Sequence, residues 1–258
     1  MDEGAAPLLE VRGVGVRFSG IIALDALSFS VSAGQVCGLI GPNGAGKTTL
    51  FNVVSRLYEP TAGSVRFDGR DLLRLPPHRI VAAGITRTFQ NLALFPSMSV
   101  LENVMVGAHS TARGSWVTAP LRLGIGREEA RLRQAALDVL EEVGLASYAL
   151  HPAGGLPYGT LKRIEVARAL VAGPKLLLLD EPASGLTSEE VAELAELLRA
   201  LGARRGLTLL LVEHHMQMVM GTCDKVVVLN FGRKLAEGTP QQVSGDPAVI
   251  EAYLGAST

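Results

Sequence analysis

Apolar residues in this chain form short runs that alternate with stretches of helical spacing. The runs at residues 36–40, 176–179, 208–212 and 225–229 consist mainly of Leu, Val and Ile. Runs of this length are typical of parallel strands that are buried on both faces. Strands that alternate with helices favour an α/β fold with a mainly parallel sheet.

The first third of the chain also contains strands of a different kind. Residues 8–18 and 23–31 predict an antiparallel pair, and residues 64–67 predict another strand, followed by a turn at Asp68-Gly69. Residues 85–89 predict one more short strand. These strands indicate a small antiparallel β subdomain beside the parallel sheet.

The middle of the chain is mostly helical in its pattern. Ser99 and Glu102 form a capping box that predicts a helix start. A second helix is predicted over residues 127–143, whose apolar positions share one face: Leu132, Ala136, Val139, Leu140 and Val143. A loop with several Gly and Pro residues is predicted at 110–126. We therefore expect a helical subdomain at residues 91–171, inserted between residues 1–90 and 172–258 of a sheet domain, with a short helical appendage at the C-terminus.

A glycine-rich segment lies between the first buried strand and a helical pattern. Residues 41–49 fit the phosphate-binding P-loop pattern. Its glycines allow successive backbone amides to point into one concavity, and the helix that follows adds the positive end of its dipole. A lysine serves as a cation for the β- and γ-phosphates, and a threonine hydroxyl binds Mg²⁺. The candidate nucleotide-binding residues here are Gly41, Pro42, Asn43, Gly44, Ala45, Gly46, Lys47, Thr48 and Thr49.

Two acidic residues follow the apolar run at residues 176–179. Ligands of α/β sheets bind beyond the carboxyl ends of the strands, so Asp180 and Glu181 are expected near the P-loop. Asp180 is then a candidate Mg²⁺ ligand, acting through a water molecule, and Glu181 is a candidate general base. Taken alone, the pair is equally compatible with an exposed acidic corner. The P-loop upstream favours the metal site.

Composition excludes several functions and leaves others open. The chain has 258 residues, 48% of them apolar, and a formal net charge of −1. This charge argues against a general nucleic-acid binder, and a 5% content of aromatic residues leaves few platforms for stacked bases. Cys37 and Cys223 form no metal or redox motif. We see no pattern of a signal peptide or of a transmembrane helix, and therefore expect a cytosolic protein.

Further motifs in a fixed order make the chain resemble an ATP-binding cassette (ABC) ATPase over nearly its whole length. Gln90 matches the Q-loop glutamine, and residues 156–160, Leu-Pro-Tyr-Gly-Thr, stand in the place of the signature motif. Residues 184–187 match the D-loop that follows the Walker B acids. His214 matches the switch histidine, and Phe18 matches the aromatic residue that stacks on adenine.

This resemblance implies an α/β P-loop NTPase (ABC ATPase) core with a small antiparallel β subdomain and an inserted helical subdomain. It implies ATP and Mg²⁺ as ligands, and two cassettes paired head to tail. Each ATP would then lie between one chain's P-loop and the other chain's signature helix, at Tyr158 and Gly159. The implied catalytic residues are Glu181, His214 and Gln90, and the implied metal ligands are Thr48, Gln90 and Asp180.

The sequence departs from the general family pattern at four positions. Pro157 and Thr160 replace the signature serine and glutamine, Thr187 replaces the D-loop aspartate, and His215 replaces an aspartate after the switch histidine. Gly159 and the amides of the helix that follows can still bind an anionic oxygen. ATPase activity is therefore still expected.

These departures resemble one branch of the family, the LivG-like ATPases of branched-chain amino-acid importers. The Leu-Pro-Tyr-Gly segment, the residues at 102–107 and the closing residues 252–255 are similar to that branch. The resemblance implies an ATPase subunit on the inner face of the cell membrane. Its implied partners are a second ABC ATPase subunit, identical or different, transmembrane permease subunits and, indirectly, a substrate-binding protein, but no nucleic acid.

Two other readings of the cassette stay open at this point. Similar single cassettes drive the export of lipid or lipopolysaccharide, and nothing in this sequence contacts the cargo. Soluble ABC proteins that act on DNA or ribosomes usually have a second cassette, coiled-coil arms or a basic tract, and this sequence has none of these.

Overall fold

The computed structural model describes residues 6–88, 92–108 and 125–254. It divides into two compact units. The first is formed by Met1–Ile80 and Lys175–Thr258, and the second by Val81–Pro174. The sequence analysis places the two boundaries at residues 90 and 171.

The elements are numbered along the chain. The strands are β1 (Leu9–Phe18), β2 (Ile21–Val31), β3 (Val36–Ile40), β4 (Ala62–Phe67), β5 (Arg70–Asp71), β6 (Ile85–Arg87), β7 (Leu176–Asp180), β8 (Thr208–Val212), β9 (Lys225–Asn230) and β10 (Arg233–Gly238). The α-helices are α1 (Lys47–Val54), α2 (Ile80–Ala83), α3 (Val100–Gly107), α4 (Ile125–Glu142), α5 (Tyr158–Leu170), α6 (Ser188–Arg205), α7 (Met216–Thr222), α8 (Pro240–Ser244) and α9 (Pro247–Leu254). Single 3-10 turns lie at Leu72–Arg74, Pro77–Arg79 and Ala146–Tyr148.

An antiparallel sheet in the order β2-β1-β4-β5 forms part of the first unit. The two-residue turn Ser19-Gly20, with both φ angles positive, joins β1 to β2. Buried positions in β1 recur at every second or third residue, as a strand with one covered face requires. The antiparallel subdomain predicted from residues 8–31 and 64–67 is confirmed.

The first unit also contains the apolar runs, as strands side by side in the order β10-β9-β3-β8-β7. Strands β3, β7 and β8 are buried at every position, and β3 pairs in parallel with both β8 and β9. Burial on both faces explains why their sequences do not alternate between apolar and polar residues. The predicted α/β class with a mainly parallel sheet is therefore confirmed.

Helices α3, α4 and α5 pack together in the second unit. The capping box at Ser99 and Glu102 is present at the start of α3. A Cβ atom at Gly107 would lie 1.9 Å from the carbonyl oxygen of Arg168, so α3 and α5 approach each other at a position that only glycine allows. The predicted apolar face is buried at Ala136, Val139 and Leu140 of α4 and at Val143, which follows the helix, whereas Leu132 is half-buried.

The end of the chain contains one strand that the sequence analysis did not predict. Strand β10 pairs antiparallel with β9 at the edge of the larger sheet. The C-terminal appendage, which the sequence predicts as helical, consists of α8 and α9, and α8 begins with a capping box formed by Thr239 and Gln242. The described residues contain no helix that is long and apolar enough to cross a membrane.

Candidate functional site

Parallel pairing brings three strand ends to one edge of the larger sheet. Leu39 of β3 pairs with Val212 of β8, and Val212 pairs with Asp180 of β7. Neighbouring strands lie about 4.8 Å apart. The P-loop, the acidic pair and the switch histidine, each of which follows one of these strands, therefore start from adjacent positions.

The P-loop is fixed by close backbone contacts on its outer side. A Cβ atom at Gly41 would lie 2.2 Å from the Leu229 carbonyl oxygen, and one at Gly46 would lie 2.6 Å from the Ala23 carbonyl oxygen. Gly41, Gly44 and Gly46 have positive φ angles of 149°, 78° and 101°. Only glycine fits both the space and the backbone angle at Gly41 and Gly46.

The first turn of α1 begins without a side-chain cap. Its N-cap residue, Gly46, has a left-handed backbone and makes no side-chain hydrogen bond. The amide groups of a helix start need acceptors, and the helix dipole makes that end favourable for anions. This helix start is therefore suited to binding an anion such as phosphate.

Lys47 is 9% exposed and points back over its own loop. Its Nζ donates hydrogen bonds to the carbonyl oxygens of Gly41, at 2.6 Å, and Pro42, at 2.9 Å. Burial lowers the pKa of Lys47 below its usual value, while the negative charges of Glu181 and Asp180 act to raise that pKa. Both carboxylates therefore favour the charged form of the P-loop lysine.

The two acidic residues differ in burial and in backbone conformation. Asp180 is 4% exposed at the end of β7. Glu181 is half-buried and has a φ angle of +48°, which is uncommon for a residue with a side chain and costs about 1–3 kcal/mol. Such strain persists where the surrounding structure enforces it, often at functional sites.

The switch histidine lies in the turn between β8 and α7. His214 is exposed, whereas His215 is half-buried and is the N-cap residue of α7 without a side-chain cap hydrogen bond. Their ring centroids are 4.6 Å apart. Among the described residues, no group of three or more His, Cys, Asp or Glu side chains could hold a metal ion by itself.

The candidate adenine-stacking residue lies at the end of β1. Phe18 is 42% exposed and packs edge-on against Tyr58, with the ring centroids 5.1 Å apart. An exposed aromatic ring held by a second ring is suited to stacking on a flat base. Ile21 and Ile22, on the paired strand, extend this exposed apolar surface.

The signature residues lie at the start of α5 in the second unit. Pro157 is the N-cap residue and makes no side-chain cap hydrogen bond, so the first turn of α5, like that of α1, lacks a side-chain cap. Tyr158 is 41% exposed, and the Lys162 ammonium lies 5.6 Å from its ring centroid. Gln90, the candidate Q-loop residue, lies outside the described residues.

The D-loop substitution has a clear structural role. Thr187 is the N-cap residue of α6 and accepts a hydrogen bond from the Glu190 amide at 3.3 Å. Glu190 in turn accepts one from the Thr187 amide at 2.9 Å. Threonine and aspartate both serve as N-caps, which explains why threonine is tolerated at this position.

Two residues of this site were missed by the sequence analysis. Glu213, directly before the switch histidine, is completely buried. Tyr253 of α9 is half-buried. Burial raises the pKa of Tyr253, whereas the nearby Gly41 backbone acts to lower it. The similarity of the closing residues to one branch of the family was the available signal for Tyr253. No sequence signal predicted the burial of Glu213, because an acidic residue after a strand usually faces solvent.

The known proteins that resemble this chain are ATP-binding subunits of transporters. The sequence pattern of the ABC transporter family matches residues 24–184, and that of the branched-chain amino acid ATP-binding cassette transporter family matches residues 233–257. The second match covers β10, α8 and α9, of which the sequence analysis related only the closing residues to this branch. A curated relative, the high-affinity branched-chain amino acid transport ATP-binding protein BraF of Pseudomonas aeruginosa, is 42% identical over 96% of this chain and 98% of its own length.

Solved structures agree with this assignment. The ADP conformation of MJ1267, an ATP-binding cassette of an ABC transporter, has a TM-score of 0.86 and is 32% identical over 97% of this chain and all of its own. A dimeric post-hydrolysis state of the cassette MJ0796, bound to ADP and Pi, has a TM-score of 0.74 and is 26% identical over 90% of this chain and 98% of its own. Fold, motif order and sequence similarity therefore lead to one conclusion: the chain belongs to the ABC transporter family, as one of its ATP-binding cassettes.

Proposed function

We propose that this ABC ATPase powers the import of branched-chain amino acids across a membrane. The observation that carries the proposal is the sheet edge at which Lys47 interacts with the charges of Asp180 and Glu181. The cargo is inferred from the match of residues 233–257 to the branched-chain amino acid cassettes and from the 42% identity to BraF.

Nucleotide binding is assigned to the P-loop and to Phe18. The amides that begin α1 take phosphate oxygens, and the dipole of the helix favours their charge. For Lys47, binding means exchanging two neutral carbonyl partners for phosphate oxygens, and charge-assisted hydrogen bonds are the stronger kind. The exposed ring of Phe18, supported by Tyr58, takes the adenine.

The residues present fit Mg²⁺. This ion prefers oxygen ligands and is usually bound by one or two carboxylates together with substrate phosphates, rather than by a cage of protein ligands. Thr48 and the buried Asp180 are oxygen donors of this kind, and Gln90 is the third candidate. When bound, the metal would neutralise charge on the phosphates.

Hydrolysis is assigned to Glu181 and His214. Glu181 accepts the proton of the attacking water, and its fixed backbone aims the carboxylate. His214 is exposed at the same edge and contacts the γ-phosphate. Phosphoryl transfer depends mainly on positioning and on charge stabilisation, which these groups provide.

A second cassette completes the site. The first turn of α5, with Tyr158 and Gly159, offers amides without a side-chain cap to the ATP of a partner chain. The dimeric cassette bound to ADP and Pi supports such pairing in the family. Permease subunits and, through them, a substrate-binding protein complete the importer, and the cassette lies on the inner face of the membrane.

The substitution Glu181→Gln tests the proposed chemistry. The amide cannot accept the proton, so turnover falls by roughly 100-fold or more while ATP binding persists and paired cassettes accumulate. Glu190→Gln is the matched control, because it makes the same change in the capping box of α6, where glutamine serves as well as glutamate. Wild-type turnover in Glu181→Gln would rule out this base.

Uptake of labelled amino acids tests the cargo. The chain is expected to co-purify from membranes with two permeases and a second cassette, and the assembled transporter is expected to take up leucine, isoleucine or valine when ATP is present. Failure of all three would remove the branched-chain assignment and leave the ATPase assignment intact. Co-purification with a lipid or lipopolysaccharide exporter, or with no membrane protein, would favour the other readings of the cassette.

A further inference from the structure

Glu213 is a buried acidic residue to which the proposed chemistry gives no role. It follows β8, which lies between β3 and β7, and its exposed fraction is 0%. A carboxylate in such a position is costly unless it is paired or fully hydrogen-bonded. The structure therefore has to supply partners for both of its oxygens.

Three backbone amides fill this need. The Ala183 amide donates to Oε1 at 2.7 Å. The amides of His214 and His215 donate to Oε2 at 3.0 Å and 3.1 Å. Within the described part of the chain, all the hydrogen-bond partners of this carboxylate are main-chain groups, so it fixes backbone rather than side chains.

These amides belong to two different loops of the site. Ala183 lies two residues after Glu181, in the segment that leads to the D-loop. His214 and His215 form the turn after β8. One carboxylate thus spans the loop that carries the proposed base and the loop that carries the proposed γ-phosphate contact.

We propose that Glu213 is a positioning residue that holds these two loops in a single arrangement, so that Glu181 and His214 keep one spacing and move together. The inference rests on the roles proposed for those two residues. It also explains why the residue is acidic. A glutamine side chain has the same shape, but its NH₂ group would face an amide that is itself a donor.

The substitution Glu213→Gln tests the proposal in the full-length chain. Turnover is expected to fall at least roughly tenfold, because small displacements of reacting groups have large effects on rate. The dissociation constant for ATP is expected to change less than about threefold, since the P-loop contacts are untouched. A rate loss without a loss of affinity separates positioning from general damage to the fold.

A matched control lies at the opposite end of the same strand. Thr208 is also completely buried, and its hydroxyl accepts a hydrogen bond from the Gly34 amide at 2.8 Å. Thr208→Val removes this bond far from the site. It is expected to lower the melting temperature and to leave the turnover per folded molecule unchanged. If Glu213→Gln lowers turnover no more than Thr208→Val does, Glu213 is structural only.

Combining the substitution with His214→Ala tests whether Glu213 acts through the histidine. With the histidine removed, Glu213→Gln is expected to lower turnover by a clearly smaller factor than it does in the wild type. Equal factors in both backgrounds would overturn the proposal. If neither His214→Ala nor Glu181→Gln lowers turnover, the proposed function fails; if both do and Glu213→Gln does not, only this inference fails.

Hydrogen exchange on the wild-type chain gives a test that does not depend on the variant folding. The amides of Ala183, His214 and His215 are expected to exchange slowly and with similar protection, although they lie in loops. Fast exchange at any one of them would contradict the shared attachment to Glu213.

Discussion

Helices α1 and α6 follow two loops at the same edge of the larger sheet, yet their first turns are built in different ways. In α6 the Thr187 and Glu190 side chains satisfy each other's amides in a capping box. In α1 the N-cap residue is Gly46, which has no side chain to offer. The first amides of α6 are therefore satisfied by side chains of the same helix start, whereas those of α1 remain available to a ligand.

Four other helices with a defined N-cap residue show the same division. Capping boxes begin α3 and α8, as well as α6. Side-chain caps are absent from α1, α5 and α7, which start at the P-loop, the signature segment and the switch histidine. The helices without a side-chain cap therefore begin at the segments to which phosphate binding is assigned. The helices with a capping box begin at segments to which no phosphate contact is assigned.

The largest effect is expected at the uncapped start of α1. Gly46→Ala combines a positive φ angle with a Cβ atom 2.6 Å from the Ala23 carbonyl oxygen, and should lower the free energy of unfolding by about 2–4 kcal/mol. ATP affinity should fall at least roughly tenfold as amides turn away from the phosphates. Chemical denaturation and calorimetric titration measure both quantities.

Gly44→Ala is the control for this prediction. Gly44 also has a positive φ angle, but a Cβ atom there would meet nothing within 4 Å. Only the backbone strain of about 1–2 kcal/mol remains. Equal losses of stability in the two variants would contradict the importance of the close contact at Gly46.

A pH dependence is expected at the same helix start. Burial lowers the pKa of Lys47 below the usual 10.5, and phosphate oxygens favour the charged ammonium. The ATP-bound state therefore holds this proton more tightly, so ATP affinity should decrease as the pH rises, by up to about tenfold per pH unit. Titrations from neutral to alkaline pH should reveal this slope, and Lys47→Met should abolish it.

Removing the cap of α6 should have a smaller effect, and on stability alone. Thr187→Ala leaves the Glu190 amide without its acceptor and should cost about 1 kcal/mol of unfolding free energy. ATP affinity should stay within experimental error of the wild type. Thr187→Asp should restore the stability, and a failure to do so would assign a further role to the threonine.

The smallest effect is expected from adding a cap to α5. Pro157→Ser supplies a hydroxyl that can cap the helix or bind phosphate, and it also relaxes a rigid residue of the unfolded chain. These contributions nearly cancel, so stability should change by less than about 1 kcal/mol, with turnover equal to that of the wild type or higher. A collapse of turnover would mean that the proline itself shapes the signature turn.

The sequence predicts features that local chemistry encodes. Buried parallel strands appear as apolar runs, and the capping box of Ser99 and Glu102 is complete within four residues. Strand β10 was not predicted because it is an edge strand with mostly exposed side chains. Its sequence therefore lacks the alternation of apolar and polar residues that predicts a strand. Its stability comes from pairing with β9, a contact that its own residues do not reveal.

The candidate site also contains residues that the sequence predicts and residues that it does not. The P-loop and the acidic pair are contiguous motifs, so the sequence alone predicts their residues. The burial of Glu213 depends on amides of Ala183 and of the turn after β8, which meet only when β7 and β8 lie side by side. The spacing of these residues along the sequence does not predict that contact.

The two carbonyl contacts of Lys47 have a consequence for the transport cycle. A glycine-rich segment left to itself would sample many shapes, and each incoming ATP would have to select one of them. Because the ammonium group bridges the Gly41 and Pro42 carbonyl oxygens, the loop is already in a receptive shape. The entropy loss occurs once, when the polypeptide folds, and is not repeated at every turnover.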